Sequence, residues 1–172
     1  MQKELMAKVF LGLGGNIGDV KQTLKDAIVC LAQNPHIKVI NRSCFYQSSP
    51  LDAQGDDFIN NVVGIRTELS PENLLKVCQT IEYEFGRERP YKNAPRTLDI
   101  DILIYDELQK NTQELTLPHP RLGDRLFVLV PLLELEPHIV IHPWGPLKNL
   151  PDQLSSQKIT KMPGCQCPKM GL

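Results

Sequence analysis

The chain has 172 residues, 41% of them hydrophobic and 23% charged, the make-up of one folded domain with a core of ordinary size. Its 19 basic residues stand against 20 acidic ones for a formal net charge of −1, so there is no broad basic field for nonspecific nucleic-acid binding and any anion site must be local. The apolar run at 9–13 is too short for a signal core or a membrane span, so secretion and membrane insertion are not expected.

Residues 8–13 read as a buried strand and Gly14-Gly15-Asn16-Ile17-Gly18 as the turn after it, with Asp19 as a helix cap. Leu24, Ala27, Ile28 and Leu31 recur at helical spacing and predict a helix over 20–33, ended by Asn34-Pro35. The β-branched and aromatic content of 37–46 and 58–67 predicts two strands around a polar loop at 47–57. Ser70-Pro71-Glu72 is a helix start, and the stripe Leu74, Leu75, Cys78, Ile81, Phe85 carries that helix to Gly86. A loop dense in Arg and Pro fills 86–95, and 97–105 is the next strand. Leu117-Pro118-His119-Pro120 is extended, and a helix over 122–135 contains Pro131, which should kink or split it.

This order predicts an α+β fold of ferredoxin-like β-α-β-β-α-β type, with helices on one face of a mostly antiparallel sheet, the ligand site on the other, and C-terminal additions. Residues 1–150 form the expected domain and 151–172 a mobile tail. Five cysteines are present; Cys30, Cys44 and Cys78 fall in apolar segments as reduced, buried hydrophobes, which fits a reducing cytoplasm. Cys165-Gln166-Cys167 lacks a second ligand pair for zinc and reads as part of the tail.

In Leu98-Asp99-Ile100-Asp101-Ile102-Leu103-Ile104 the strand period puts Leu98, Ile100, Ile102 and Ile104 on one side and Asp99 and Asp101 together on the other. Two neighbouring carboxylates suit a hard divalent ion such as Mg²⁺, which keeps coordination positions for substrate phosphates. Read alone, the pair is more often an amphipathic strand with its acids in water. Arg87, Arg89, Lys92 and Arg96 just upstream turn it toward a polyphosphate clamp. The run Gly12-Leu13-Gly14-Gly15 fits neither the dinucleotide spacing nor a P-loop. Two other functions compete: a noncatalytic sheet module binding RNA or a regulatory ligand, disfavoured because the acids repel phosphate, and a metal-dependent nucleotidyltransferase.

The chain resembles the 6-hydroxymethyl-7,8-dihydropterin pyrophosphokinases of folate biosynthesis, through Gly14-Gly15-Asn16, Phe45-Tyr46, Pro50-Leu51, Phe58-Ile59-Asn60, Gly86-Arg87, Pro95-Arg96-Thr97-Leu98-Asp99-Ile100-Asp101, Leu117-Pro118-His119-Pro120 and Phe127-Val128-Leu129-Val130-Pro131. The resemblance implies pyrophosphoryl transfer from ATP to the pterin hydroxymethyl group with release of AMP. It implies two Mg²⁺ ions held by Asp99 and Asp101, with Arg87 and Arg96 stabilising the transferred charge. It places Gln79, Glu82, Arg89, Lys92, Ile102, Thr116, His119 and Arg125 around ATP, and Ser48, Ser49, Leu51, Phe58, Asn60 and Phe127 around the pterin. The expected protein is a cytoplasmic monomer with small-molecule partners and no nucleic-acid or membrane partner. Lys92, Asn93, Phe58 and Glu114 depart from residues common in the family.

Overall fold

Both long helices start on the side chains expected to cap them. Asp19 Oδ1 accepts the Gln22 N–H at 3.3 Å at the head of α1 (Val20–Gln33), and Ser70 Oγ accepts that of Asn73 at 3.2 Å ahead of α2 (Pro71–Glu84). The structure, a computed structural model, describes residues 6–49, 56–86 and 97–165.

The sheet is built from β1 (Ala7–Gly15), β2 (Ile37–Arg42), β3 (Tyr46–Ser48), β4 (Phe58–Thr67) and β5 (Asp99–Tyr105). Two-residue strands β6 (Lys110–Asn111) and β7 (Thr116–Leu117) pair as one ribbon, β8 (Val140–Ile141) and β9 (Gly145–Pro146) as another. The last strand, β10 (Ile159–Lys161), joins the main sheet, whose order is β10-β3-β4-β1-β5 with β2 also on β4. Every pairing in it is antiparallel.

Several expectations are corrected. The strand read over 8–13 continues through Gly14 and Gly15, which pair with Asn60 and Ile59 of β4. The strand read over 37–46 breaks, because Ser43 turns its Oγ to the Val62 N–H at 2.9 Å and substitutes a side chain for the ladder. The helix read over 122–135 does split, but at Arg125, whose extended backbone separates a 3-10 turn (Leu122–Asp124) from α3 (Leu126–Leu135). Helix α3 runs through Pro131.

Helices α1 and α2 cover one face, where Leu24, Leu31, Leu74 and Cys78 pack on Val9, Leu11, Leu13, Val63 and Ile100. The other face, which the sequence leaves open for ligands, is not bare. Helix α3 covers part of it, with Val128, Leu129 and Leu132 against Phe10, Val62, Leu103 and Ile104. Ile104 was expected on the first face; a register shift between Phe10 and Leu11 makes Leu103 an extra residue and turns Ile104 to the second. Burying each such side chain stabilises the fold by roughly 1.5–3 kcal/mol.

The segment expected to be a mobile tail is tied down at least as far as Cys165. The Gln157 side chain caps α3, accepting the Leu126 N–H at 3.0 Å and donating to the Asp124 carbonyl at 2.8 Å. Strand β10 then extends the sheet beside β3. Cys44, expected to be reduced, forms a disulfide with Cys165 across 121 positions of sequence. Cys30 and Cys78 are free, and burial pushes the Cys78 thiol up, as for an inert core residue.

Candidate active site

Register, not proximity in sequence, assembles the site. Asp99 pairs with Gly14 and Asp101 with Gly12 on β1, while Gly14 also faces Asn60 of β4, which in turn faces Tyr46 of β3. Directly paired residues share a face, and so do residues two apart on a strand. Asp99, Asp101, Asn60, Phe58 and Ser48 therefore all project from the second face, beside α3. Gly12 and Gly14 lie between the acids and β4 and carry no side chains, and the space this leaves is taken by Leu103 over Gly12 and by the Asn60 amide over Gly14. That role was missed in the sequence, where this glycine run reads as a turn.

The clearance is required. A Cβ on Gly14 would lie 2.2 Å from Asn60 Oδ1. Asn60 is buried, and its Nδ2 donates to Ser48 Oγ at 3.3 Å, so the amide is oriented by β3 and passes over the bare backbone of β1. Phe58 is half-buried at the start of β4, and Ser49 is exposed. Phe127, in the first turn of α3, packs at the edge of the second core with the Arg125 guanidinium 5.5 Å from its ring centre. Helix α3 is fastened to β3 by Glu134, whose carboxylate accepts the Tyr46 hydroxyl at 2.8 Å and the Cys44 N–H at 3.2 Å.

Beside Asp101, at the free edge of β5, a cavity of about 230 Å³ lies between Ile100–Ile102 and the 113–120 segment. Ile102, Thr116 and His119 line it, as do Leu115 and Leu75, the latter a member of the apolar stripe of α2. Gln79 is exposed on α2 and does not line it. Glu82 is buried, and its Oε2 accepts the Ile100 N–H at 3.1 Å, so it holds the backbone between the two aspartates. Arg87, Arg89, Lys92, Arg96 and Leu51 lie outside the described residues.

Electrostatics distinguish the groups around the cavity. Burial, then the Arg125 charge, pushes His119 down to about 4, with Asp99 opposing. The ring is neutral at pH 7; its Nδ1 accepts the Arg121 N–H at 3.2 Å, which leaves Nε2 as the donor. Arg125 is lowered by burial and by Arg121, and its Nε is buried without a hydrogen-bond partner. A buried guanidinium N–H of this kind suits an anionic ligand.

The depressed His119 value has a consequence for stability. The unfolded chain takes up a proton near pH 6.5 and the folded chain only near 4, so stability from the neutral ring is complete above 6.5 and is lost as pH falls toward 4. The ligand-free protein should therefore lose stability across this window, and His119→Gln should flatten that dependence. Urea unfolding midpoints at pH 7, 5.5 and 4.5 check it; parallel curves for the two proteins would refute the assignment.

A model of the 7,8-dihydro-6-hydroxymethylpterin-pyrophosphokinase family matches residues 10–137. The chain belongs to this family. It is 45% identical over 137 residues to the 2-amino-4-hydroxy-6-hydroxymethyldihydropteridine pyrophosphokinase of Methylorubrum extorquens, covering 79% of this chain and 87% of that protein. The Bacillus subtilis pyrophosphokinase is 40% identical, with 73% and 76% covered. Fission yeast folic acid synthesis protein fol1 is 39% identical over 153 residues, but this chain spans only 21% of its length. Among solved structures, an HPPK-DHPS in complex with substrates superposes with a TM-score of 0.70 at 14% identity over 86% of this chain and 43% of that one. Plasmodium falciparum HPPK-DHPS with pteroate gives 0.69 at 15%, over 91% and 44%. At such identity these superpositions establish the shared mixed sheet-and-helix fold, and the chain spans less than half the length of either protein.

Proposed function

We propose that the second face of the sheet transfers the terminal diphosphate of MgATP to the hydroxymethyl oxygen of 6-hydroxymethyl-7,8-dihydropterin, releasing AMP. Family membership gives the class, a pyrophosphokinase of folate biosynthesis. The observation that carries the assignment to this face is the alignment of Asp99, Asp101 and Asn60 across a floor of two glycines.

The donor set suits magnesium. Among the described residues no cluster of three or more His, Cys, Asp or Glu side chains could hold a metal, so a cation at Asp99 and Asp101 would draw its other ligands from water and polyphosphate, as Mg²⁺ does. Two Mg²⁺ ions held there supply charge neutralisation along the triphosphate. Ile102, Thr116 and His119 receive the nucleotide in the adjoining cavity, where His119 Nε2–H donates, and the Arg125 guanidinium donates from beside His119. Gln79 and Glu82 act from α2, Glu82 by fixing β5. Ser48 and Asn60 read the pterin edge, with Ser49 and Leu51 beside them and Phe58 and Phe127 supplying flat apolar surface. The pterin oxygen attacks the β-phosphorus, the bond from it to the α-phosphate oxygen breaks, and AMP carries that oxygen away. Arg87, Arg89, Lys92 and Arg96 complete the charge around the transferred group.

The same reading carries a ferredoxin-like design and a monomer acting on small molecules. No described helix is long and apolar enough to cross a membrane, and the ATP requirement supports a cytoplasmic setting. Incubation with MgATP and the pterin should give AMP and diphosphorylated pterin in equal amounts by anion-exchange chromatography. ADP as product, or no turnover, would remove this reading.

A further inference from the structure

Lys21, Lys25 and Arg42 converge on a cavity of about 70 Å³ on the α1 side of the molecule, remote in the fold from the aspartate face. Each is placed against ordinary electrostatic preference. Lys21 stands in the first turn of α1, where the helix end disfavours a cation. Lys25 is one turn on, a like charge on the same helix face. Arg42 faces both from the end of β2. None of the three forms an ion pair or side-chain hydrogen bond with another described residue, and Arg42 Nη1 is buried without a partner. Lys21 and Arg42 also share the Phe45 ring, at 5.9 and 5.3 Å from its centre.

The far wall is the 162–165 segment, held by the Met162 N–H to the Phe45 carbonyl at 2.9 Å and by the Cys44–Cys165 disulfide. A chain that breaks a helix-end rule, a like-charge rule and a buried-donor rule at one point is compensated there if an anion binds.

We propose that this cavity binds a single tetrahedral oxyanion, inorganic phosphate or the phosphate of a phosphomonoester, at a site separate from catalysis. The cavity has room for one phosphate group and not for a whole nucleotide. Arg42 offers the planar fork suited to two phosphate oxygens, and the lysines add point charges.

The test is a titration of the oxidised full-length protein with inorganic phosphate, and separately with glycerol 3-phosphate, at constant ionic strength, read by backbone amide shifts. Saturable shifts in the first two turns of α1 and in residues 42–45 are expected. Arg42→Gln and Lys25→Gln should each raise the dissociation constant about tenfold, the worth of one charge-assisted hydrogen bond. Lys25 is exposed, so its variant decides the matter if Arg42→Gln does not fold. Tighter binding of the ester would name a phosphomonoester as ligand, and equal or tighter binding of phosphate the free ion. Shifts that never saturate, that chloride reproduces, or whose midpoint Lys25→Gln leaves unchanged would overturn the site. So would a Cys165→Ser protein of undiminished affinity, since the wall would then contribute nothing.

Discussion

Asp99→Ala and Asp101→Ala are each expected to lower turnover about a thousandfold, the effect of losing several kcal/mol of charge stabilisation around a transferring phosphoryl group. The fold should survive both changes. The two carboxylates are half-buried near one end of β5, and the strand is held from below by Ile100 and Ile102 in the first core and by Glu82 on the Ile100 N–H. Each alanine therefore removes a charge from the second face without opening a cavity in the first. Asn substitutions sharpen the test, because they keep the side-chain shape and lose only the anion. Turnover of Asp101→Asn close to that of Asp101→Ala, with thermal midpoints within a few degrees of the parent, is the expected pattern. If either Asn protein kept full activity, the carboxylates would be mere surface charges of an amphipathic strand.

Much of the fold around this candidate site is legible in the sequence, and the reasons are local. Asp19 and Ser70 announce their helices because an unpaired helix N–H needs an acceptor nearby in sequence. Strand 58–67 and the facing of Asp99 with Asp101 follow from a period of two. What could not be read depends on partners distant in the chain. Gly14 reads as a turn because glycine is common in turns, and only the register with Asn60 and Asp99 shows that it is a strand residue kept small. The turning of Ile104 to the second face comes from a bulge against Phe10. Gln157 is an unremarkable polar residue until α3 presents it with an uncapped end. Glu82 carries its charge in a helix stripe that sequence pattern would assign to apolar residues. Its burial against the β5 backbone is a tertiary fact.

Gly14→Ala should damage pterin recognition while leaving the metal-binding acids in place. The backbone at Gly14 does not lie in the left-handed region, so alanine is conformationally acceptable and the clash acts alone. Its Cβ would fall 2.2 Å from Asn60 Oδ1 and 3.4 Å from the Ile59 carbonyl. The strand cannot retreat, being paired on both sides with β4 and β5, so the Asn60 side chain must move and its bond to Ser48 Oγ must break. The expected result is a rise of about tenfold or more in KM for the pterin, a much smaller change in KM for ATP, and a loss of about 1–3 kcal/mol in stability from overpacking. A double-mutant cycle isolates the cause. In an Asn60→Ala background the added methyl meets no amide, so Gly14→Ala should raise KM no further and should cost no stability. Additive effects of the two substitutions would show that Gly14 acts through something other than Asn60, and the role assigned here to the bare floor of β1 would fail with it.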